Sequence, residues 1–228
     1  MCGRFSLTLP TDAMAQLFGA IDRLNLPARY NIAPTTSSAV IRPDRQNRRR
    51  LHDLKWGLVP SWARDMTSAA RHINARSETV TEKSTFRDAF ARRRCLIPAD
   101  GFYEWKKLGD KKREAWRVTW DQDSAFAFAG IWERFDTGGD GTVDTFCILT
   151  AAAPPLTAHI HPRTPVILPP DVHDTWLNRD TDAATAQALA RPMDESQLTA
   201  YRVDPRVGSV KHDDPGLHEQ WEEIGELF

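Results

Sequence analysis

The chain begins Met1-Cys2-Gly3, and a cysteine at this position can do chemistry that an internal cysteine cannot. A residue as small as cysteine permits removal of Met1, which would leave Cys2 with a free α-amine beside its thiol. An α-amine has a pKa of roughly 7.7–8.0, so a fraction of it is neutral near pH 7 and can attack an aldehyde. The thiol can then close on the imine to give a five-membered thiazolidine. Position alone also fits a chance cysteine.

The other two cysteines have a simpler interpretation. Cys95 and Cys147 stand in apolar runs, where cysteine behaves as a small hydrophobic residue. Three cysteines without a Cys-x-x-Cys pair argue against a disulfide framework and against structural zinc. We expect three reduced thiols, no metal site and no cofactor.

Glu104 stands between aromatic residues in Gly101-Phe102-Tyr103-Glu104-Trp105. Aromatic neighbours could desolvate its carboxyl group, raise its pKa and make it a proton shuttle for imine formation. The alternative is an ordinary strand glutamate that faces solvent.

His161 follows His159 at a spacing that would put both rings on one face of a strand and could suggest a metal pair. No third ligand has suitable spacing. His161 could instead act as an acid or donate a hydrogen bond to a sugar or phosphate, because its pKa lies near working pH. A structural histidine is the competing interpretation.

Two further strings could contact a sugar-phosphate chain. The Asn74 amide could orient a ring-opened sugar while Arg76 binds a phosphate, although the string also fits a turn or cap. Trp56 and Trp62 bracket a Gly and Pro turn, so exposed rings could stack on bases; buried core rings are equally compatible with the pattern.

Composition predicts one globular domain over residues 1–228, since 41% of the 228 residues are hydrophobic. Residues 1–114 carry 22 Lys and Arg against 12 Asp and Glu, a net +10, and residues 115–228 carry 8 against 19, a net −11. This asymmetry suggests a basic surface suited to a polyanion, or else scattered solvated charge. With no membrane-length apolar run and no signal-peptide pattern, we expect a cytoplasmic protein.

The predicted elements are those of an α+β chain dominated by antiparallel strands. Capped helices are predicted at Thr11–Phe18, ending at Gly19, and from Ser84 to Arg94, and a loop at Arg42–Arg50. The predicted strands are Cys95–Pro98, Gly101–Lys106, Ala115–Trp120, Ala125–Trp132, Val143–Thr150 and Leu198–Val203, with a hairpin loop at 136–142 and late helices at Asp171–Leu177 and Asp180–Ala190.

Taken together, these strings resemble the SRAP family, the SOS-response-associated peptidase or abasic-site-processing proteins. The resemblance covers nearly the whole chain. It runs through Cys2-Gly3-Arg4-Phe5, Arg29-Tyr30-Asn31-Ile32-Ala33-Pro34, Trp56 to Trp62, Ile73 to Thr79, Arg94 to Trp105, Ala129-Gly130-Ile131-Trp132 and Ile160 to Leu168. Thr164 stands where the family usually has methionine, which changes a packing position and leaves His161 and Arg163 in place.

The resemblance implies a β-barrel-like core with flanking helices, a positively charged channel for single-stranded DNA, and a covalent link from Cys2 to an abasic site. It implies Cys2 as nucleophile, Asn74 positioning the opened deoxyribose, Glu104 relaying protons and His161 assisting at the sugar and phosphate. The DNA-binding set is Arg4, Trp56, Trp62, Arg76, Arg87 and Arg163, in a monomer without metal or membrane contact. A family autoproteolytic step is the weaker expectation, because methionine aminopeptidase could expose Cys2.

Two other functions remain open from the residues. An N-terminal-nucleophile amidohydrolase would use the Cys2 thiolate on an amide, with its own amine as base. That function does not call for a basic half-chain or paired tryptophans. A noncatalytic single-strand binder would not need Cys2.

Overall fold

Strands dominate the computed structural model, which describes residues 2–22, 24–110, 112–120, 125–139 and 141–222. The strands are β1 (Arg4–Leu7), β2 (Arg29–Ile32), β3 (Ser37–Pro43), β4 (Arg49–Trp56), β5 (Asn74–Arg76), β6 (Arg94–Ala99), β7 (Gly101–Lys107), β8 (Arg113–Trp120), β9 (Phe126–Asp136), β10 (Thr142–Ala152), β11 (Arg163–Pro165), β12 (Ile167–Leu168) and β13 (Leu198–Arg202). The α-helices are α1 (Thr11–Phe18), α2 (Arg87–Arg92), α3 (Pro155–Ala158), α4 (His173–Leu177) and α5 (Ala183–Leu189), and 3₁₀ turns lie at Ala69–Arg71, Pro170–Val172, Glu195–Gln197, Pro205–Gly208 and Pro215–His218.

Five strands close into a barrel in the order β4-β3-β6-β9-β10, because β10 pairs with both β9 and β4. The β10–β4 pair is parallel and the other four pairs are antiparallel. β6 is buried along its whole length, as the unbroken apolar run around Cys95 requires. The predicted α+β fold with a mostly antiparallel, barrel-like core and flanking helices is confirmed.

A second antiparallel sheet, ordered β13-β8-β7-β1-β2, packs against the barrel. Phe5 of β1 and Phe102 of β7 contact the ring of Phe128 on β9 edge-to-face, with centroid separations of 5.8 and 6.0 Å. One continuous apolar core therefore joins the two sheets, and the start of the chain is fixed against the barrel wall.

Most predicted elements are present, with shifted ends. α1 ends at Gly19, whose φ of 63° is the left-handed conformation that glycine adopts at low cost. The basic stretch at 42–50 is a hairpin between two strands, as predicted, but its loop is confined to 44–48, since β3 and β4 stay paired as far as Pro43 and Arg49. α2 begins at Arg87 rather than Ser84. In the predicted loop at 136–142, residue 140 lies outside the described residues.

The helices of the described ranges are short. α1 has eight residues, against about 20 for a membrane span. Within those ranges no helix could cross a membrane.

Gly130 of β9 tests how tightly the barrel is closed. A methyl group on its Cα would overlap the Ile97 side chain and lie 3.0 Å from the Cys95 sulfur. Gly130→Ala should therefore lower the free energy of unfolding by about 1–3 kcal/mol, as overpacking does. Gly139→Ala is the matched control, because no atom of the described residues lies within 4 Å of the added methyl. Urea denaturation measures both variants, and equal stability would contradict close packing at Gly130.

Candidate active site

The first residues of the chain lie beside the strand that carries Glu104. β1 pairs with β7 in antiparallel register, with Arg4 opposite Tyr103 and Phe5 opposite Phe102. Continuing that register by one residue brings Glu104 opposite Gly3, next to Cys2. Cys2 is fully buried and Glu104 is 5% exposed, so both lie in a dry environment.

Asn74, on strand β5, contacts Cys2. Its Nδ2 donates a hydrogen bond of 2.8 Å to the Cys2 carbonyl oxygen. β5, which carries Asn74, pairs in parallel with β10, so that Asn74 is opposite Ile148. The Asn74 Oδ1 is buried and accepts no hydrogen bond from the described residues. The amide therefore holds the Cys2 backbone and keeps an acceptor for a hydroxyl donor.

Burial raises the pKa of the Glu104 carboxyl group from 4.5 to about 7. Its Oε1 lies 4.0 Å from the Nδ1 of His161. A carboxyl group with a pKa near working pH can both take up and release a proton during one reaction cycle. Glu104 thus has the environment that its aromatic neighbours predict from the sequence.

The ring of His161 is oriented by the backbone two residues further on. The backbone N–H of Arg163 donates to His161 Nδ1 at 3.1 Å. The Arg163 carbonyl oxygen also lies 3.1 Å from Nδ1, so the backbone of Arg163 can serve either tautomer of the neutral ring. Burial lowers the pKa of His161, which favours this neutral form.

The Cys2 thiol is held protonated, because burial raises its pKa far above the ordinary value. Its sulfur lies 3.7 Å from the Arg4 carbonyl oxygen, a weak contact. A protonated thiol is poorly suited to attack first, since the thiolate is the reactive form. Met1, and with it the expected removal of that residue, lies outside the described residues.

Of the two tryptophans, only Trp62 has an accessible ring, with 65% of the residue exposed. Trp56 is 0% exposed and donates its Nε1–H to the Ile73 carbonyl oxygen at 2.8 Å. The expectation of an exposed stacking ring is therefore wrong for Trp56, whose indole belongs to the core.

The four arginines of the predicted DNA-binding set divide into two kinds. Arg76 and Arg87 are exposed. Arg163 is mostly buried and binds Glu78 through two hydrogen bonds and the Thr150 carbonyl oxygen through a third. The guanidinium of Arg4 donates to Asn31 and to the carbonyl oxygens of residues 207 and 208.

Asn31 is a positioning residue that the sequence reasoning missed. Its Nδ2 donates to three carbonyl oxygens, those of Val207, Ser209 and His212, and its Oδ1 accepts from Arg4. Asn31 on β2 therefore binds the same segment, residues 207–212, that Arg4 of β1 binds. In the sequence, the signal for this role is a polar amide between Tyr30 and Ile32.

In the described part of the chain, no three His, Cys, Asp or Glu side chains are grouped as metal ligands would be.

The raised pKa of Glu104 has a consequence for stability. Between pH 4.5 and about 7 the folded state binds the Glu104 proton that the unfolded chain releases, so the free energy of unfolding falls as pH rises. Glu104→Gln removes this loss and should be more stable than the natural protein at pH 8, by about 3 kcal/mol, and equal to it near pH 4. Urea denaturation at both pH values measures the difference. Exposed Glu82→Gln is the control, and a Glu104→Gln difference that does not grow with pH would contradict the burial effect.

Known sequences include proteins that are similar to this chain over nearly its whole length. The family model of the SOS response associated peptidase (SRAP) matches residues 1–210. Abasic site processing protein YoqW of Bacillus subtilis is 40% identical over 225 residues, covering 96% of this chain and 99% of that protein. Abasic site processing protein YedK of Escherichia coli is 31% identical over 221 residues, covering 93% and 96%.

Solved structures have the same architecture. A crystal structure of a Bordetella bronchiseptica protein superposes with a TM-score of 0.78 at 28% identity, covering 89% of this chain and 100% of that one. A Bacteroides thetaiotaomicron protein gives a TM-score of 0.86 at 24% identity, covering 97% and 100%, and shows likeness of fold. With a family match over residues 1–210 and relatives of 31–40% identity along nearly their full length, this chain belongs to the SOS response associated peptidase (SRAP) family.

Proposed function

We propose that this protein captures abasic sites in single-stranded DNA through a thiazolidine formed by Cys2. The observation that carries the proposal is the 2.8 Å hydrogen bond from the Asn74 amide to the Cys2 carbonyl oxygen, beside a carboxyl group whose pKa is about 7. Cys2 is held in place next to the Glu104 carboxyl group, which can donate and accept protons, and this suits a reaction at the Cys2 α-amine. Relatives named abasic site processing proteins support the choice of aldehyde.

The reaction runs in two bond-forming stages. After Met1 leaves, the neutral Cys2 amine adds to the C1′ aldehyde of the opened deoxyribose, giving a carbinolamine that loses water to form an imine. The Cys2 sulfur then adds to the imine carbon, and the thiol proton ends on nitrogen. The products are a thiazolidine and one water, with no oxidant or reductant.

The neighbouring groups divide the remaining work. Glu104 takes a proton from the attacking amine and delivers one to the departing hydroxyl group, which a carboxyl group with a pKa of about 7 can do near neutral pH. The buried Asn74 Oδ1 accepts a hydrogen bond from a sugar hydroxyl group. His161 donates a hydrogen bond from its ring to the sugar or the adjacent phosphate.

DNA binding in this proposal rests on the accessible groups. Trp62 stacks on a base, and Arg76 and Arg87 bind phosphates. Arg4 and Arg163 act mainly by holding the protein, since their guanidinium groups donate to protein acceptors. The protein acts as a monomer in the cytoplasm, without cofactor or metal.

The thiol environment favours this reaction over amide hydrolysis. An N-terminal-nucleophile amidohydrolase needs the Cys2 thiolate as its first nucleophile, and burial raises the pKa of this thiol. In thiazolidine formation the amine attacks first, and the thiol reacts only with an imine already in place. Removal of Met1 by methionine aminopeptidase is sufficient, so the proposal does not depend on autoproteolysis.

Incubation with single-stranded oligonucleotides tests the reaction. A strand with one abasic site should give an adduct that survives a denaturing gel, and the intact strand should give none. Cys2→Ala should give no stable adduct, because its imine cannot close, but borohydride should trap that imine. Glu104→Gln should slow adduct formation by about 10²-fold or more, the usual contribution of general acid–base catalysis. A stable adduct of Cys2→Ala equal to that of the natural protein would refute the mechanism.

The state of Met1 supplies an internal control for this assay. Mass spectrometry divides a preparation into chains with and without Met1. Only chains that lack Met1 should become crosslinked, because the reaction needs the Cys2 amine. Efficient crosslinking of Met1-bearing chains would show that the amine is dispensable.

Trp62→Ala tests the stacking surface. Loss of one base–aromatic contact costs about 1–3 kcal/mol, so the Kd for an intact single strand should rise at least about fivefold. Trp221→Ala is the matched control, because Trp221 is also exposed, at 38%, and stands outside the proposed DNA-binding set. Fluorescence anisotropy measures both, and equal affinities would remove Trp62 from the proposed surface.

A further inference from the structure

We propose that Trp56 is a positioning residue, whose buried indole fixes Asn74 relative to Cys2. The inference concerns the geometry of the site; its effect on rate rests on the proposed function. It replaces the stacking role that the sequence suggested for this ring.

The indole N–H holds the backbone immediately before Asn74. Trp56 Nε1 donates to the Ile73 carbonyl oxygen at 2.8 Å, and the backbone N–H of Ile148 donates to the same oxygen at 3.1 Å. β5 has only three residues and pairs only with β10 among the described strands. So short a strand gains little rigidity from its own ladder, and the indole adds a second anchor at Ile73, just before its first residue.

The ring of Trp56 contacts the strand that leads from Cys2. Its centroid lies 5.1 Å from that of Phe5 on β1, edge-to-face at 68°. It also stacks on Phe146 of β10, at a centroid distance of 6.3 Å and an interplanar angle of 6°. One rigid side chain therefore touches β1 through its ring and the start of β5 through its N–H.

The backbone of Trp56 is itself fixed. Its N–H donates to the Thr36 carbonyl oxygen at 2.9 Å, and its carbonyl oxygen accepts from Thr35 at 2.8 Å. The next residue, Gly57, has a φ of 126°, and a Cβ there would lie 2.6 Å from the Ala69 carbonyl oxygen. Only glycine fits that position without strain. The indole is thus attached to a backbone with little freedom to move.

These contacts predict that Trp56→Phe changes the rate of capture and not DNA affinity. Trp56→Phe removes the N–H donor and part of the ring, while the Ile73 oxygen keeps its bond from Ile148. β5 should stay paired, but the Asn74 amide should lose its fixed orientation toward Cys2. Of the proposed DNA-binding groups only Arg76 shares β5, and it stays paired with Thr150 of β10. The rate of capture should therefore fall while DNA affinity stays unchanged.

Trp176→Phe is a matched control. Trp176 is also 0% exposed, and its Nε1 donates to the Cys95 carbonyl oxygen at 2.9 Å. It lies on α4 and bonds to β6, which carries none of the four proposed catalytic residues. The two variants lose the same atoms and the same kind of hydrogen bond, so a merely structural loss should affect both alike.

The test compares adduct formation at saturating abasic strand. Trp56→Phe should lower the first-order rate constant about tenfold, with the Kd for an intact strand within about twofold, and Trp176→Phe should change neither beyond about twofold. In an Asn74→Ala background, Trp56→Phe should add less than about a twofold effect, because the residue acts through Asn74. Equal losses of rate in the two tryptophan variants, or an undiminished effect in the Asn74→Ala background, would overturn the proposal.

A second measurement does not depend on DNA chemistry. Solvent exchange of the Asn74 side-chain amide protons, assigned by their absence in Asn74→Ala, reports the hydrogen bond to Cys2 by NMR. Trp56→Phe should speed this exchange about tenfold and Trp176→Phe should not. If the natural protein forms no adduct, the proposed function fails while this exchange still decides the role of Trp56. Unchanged exchange in Trp56→Phe would refute it.

Discussion

The pairing register of β10 is the constraint on which the site depends. One edge of this strand pairs with β9, and the other pairs in parallel with β4 near Phe146 and with β5 from Ile148 to Thr150. Its last residues pair with β11, which begins two residues after His161. A single strand therefore sets the positions of Trp56, Asn74 and His161 relative to one another along its length. A shift by one residue would turn each partner to the opposite face.

Burial determines which protonation states the site residues hold. Burial moves both Glu104 and His161 toward their neutral forms and keeps the Cys2 thiol protonated. The groups in the interior therefore handle protons rather than present standing charges. Charge that can attract a polyanion is on exposed side chains such as Arg76 and Arg87, where added salt screens it. In the proposed function, affinity therefore depends on exposed charges and chemistry on buried groups, and the two respond to different conditions.

Local patterns carried a large part of the prediction. α1 could be placed because Gly19 acts at the helix end itself, and the environment of Glu104 because its aromatic neighbours are adjacent in the chain. Long-range pairing was not readable in the same way. β5 is too short for a periodic signal, and its partner on β10 is 74 residues away, at Ile148 for Asn74. Trp56 and Trp62 have the same chemistry in sequence, and only the packing of Phe5 and Phe146 decides which ring is buried.

The contacts of Arg4 and Asn31 set a time order on assembly during synthesis. The acceptor for Arg4 at residue 207 is 203 positions further along the chain, and Asn31 binds the same segment. At a synthesis rate of about 5–20 residues per second, the Arg4 side chain waits roughly 10–40 s for these partners. β1 can pair earlier with β2 and β7, and only its link to residues 207 and 208 forms late. A nascent chain therefore carries Cys2 long before it has the segment that Arg4 and Asn31 bind.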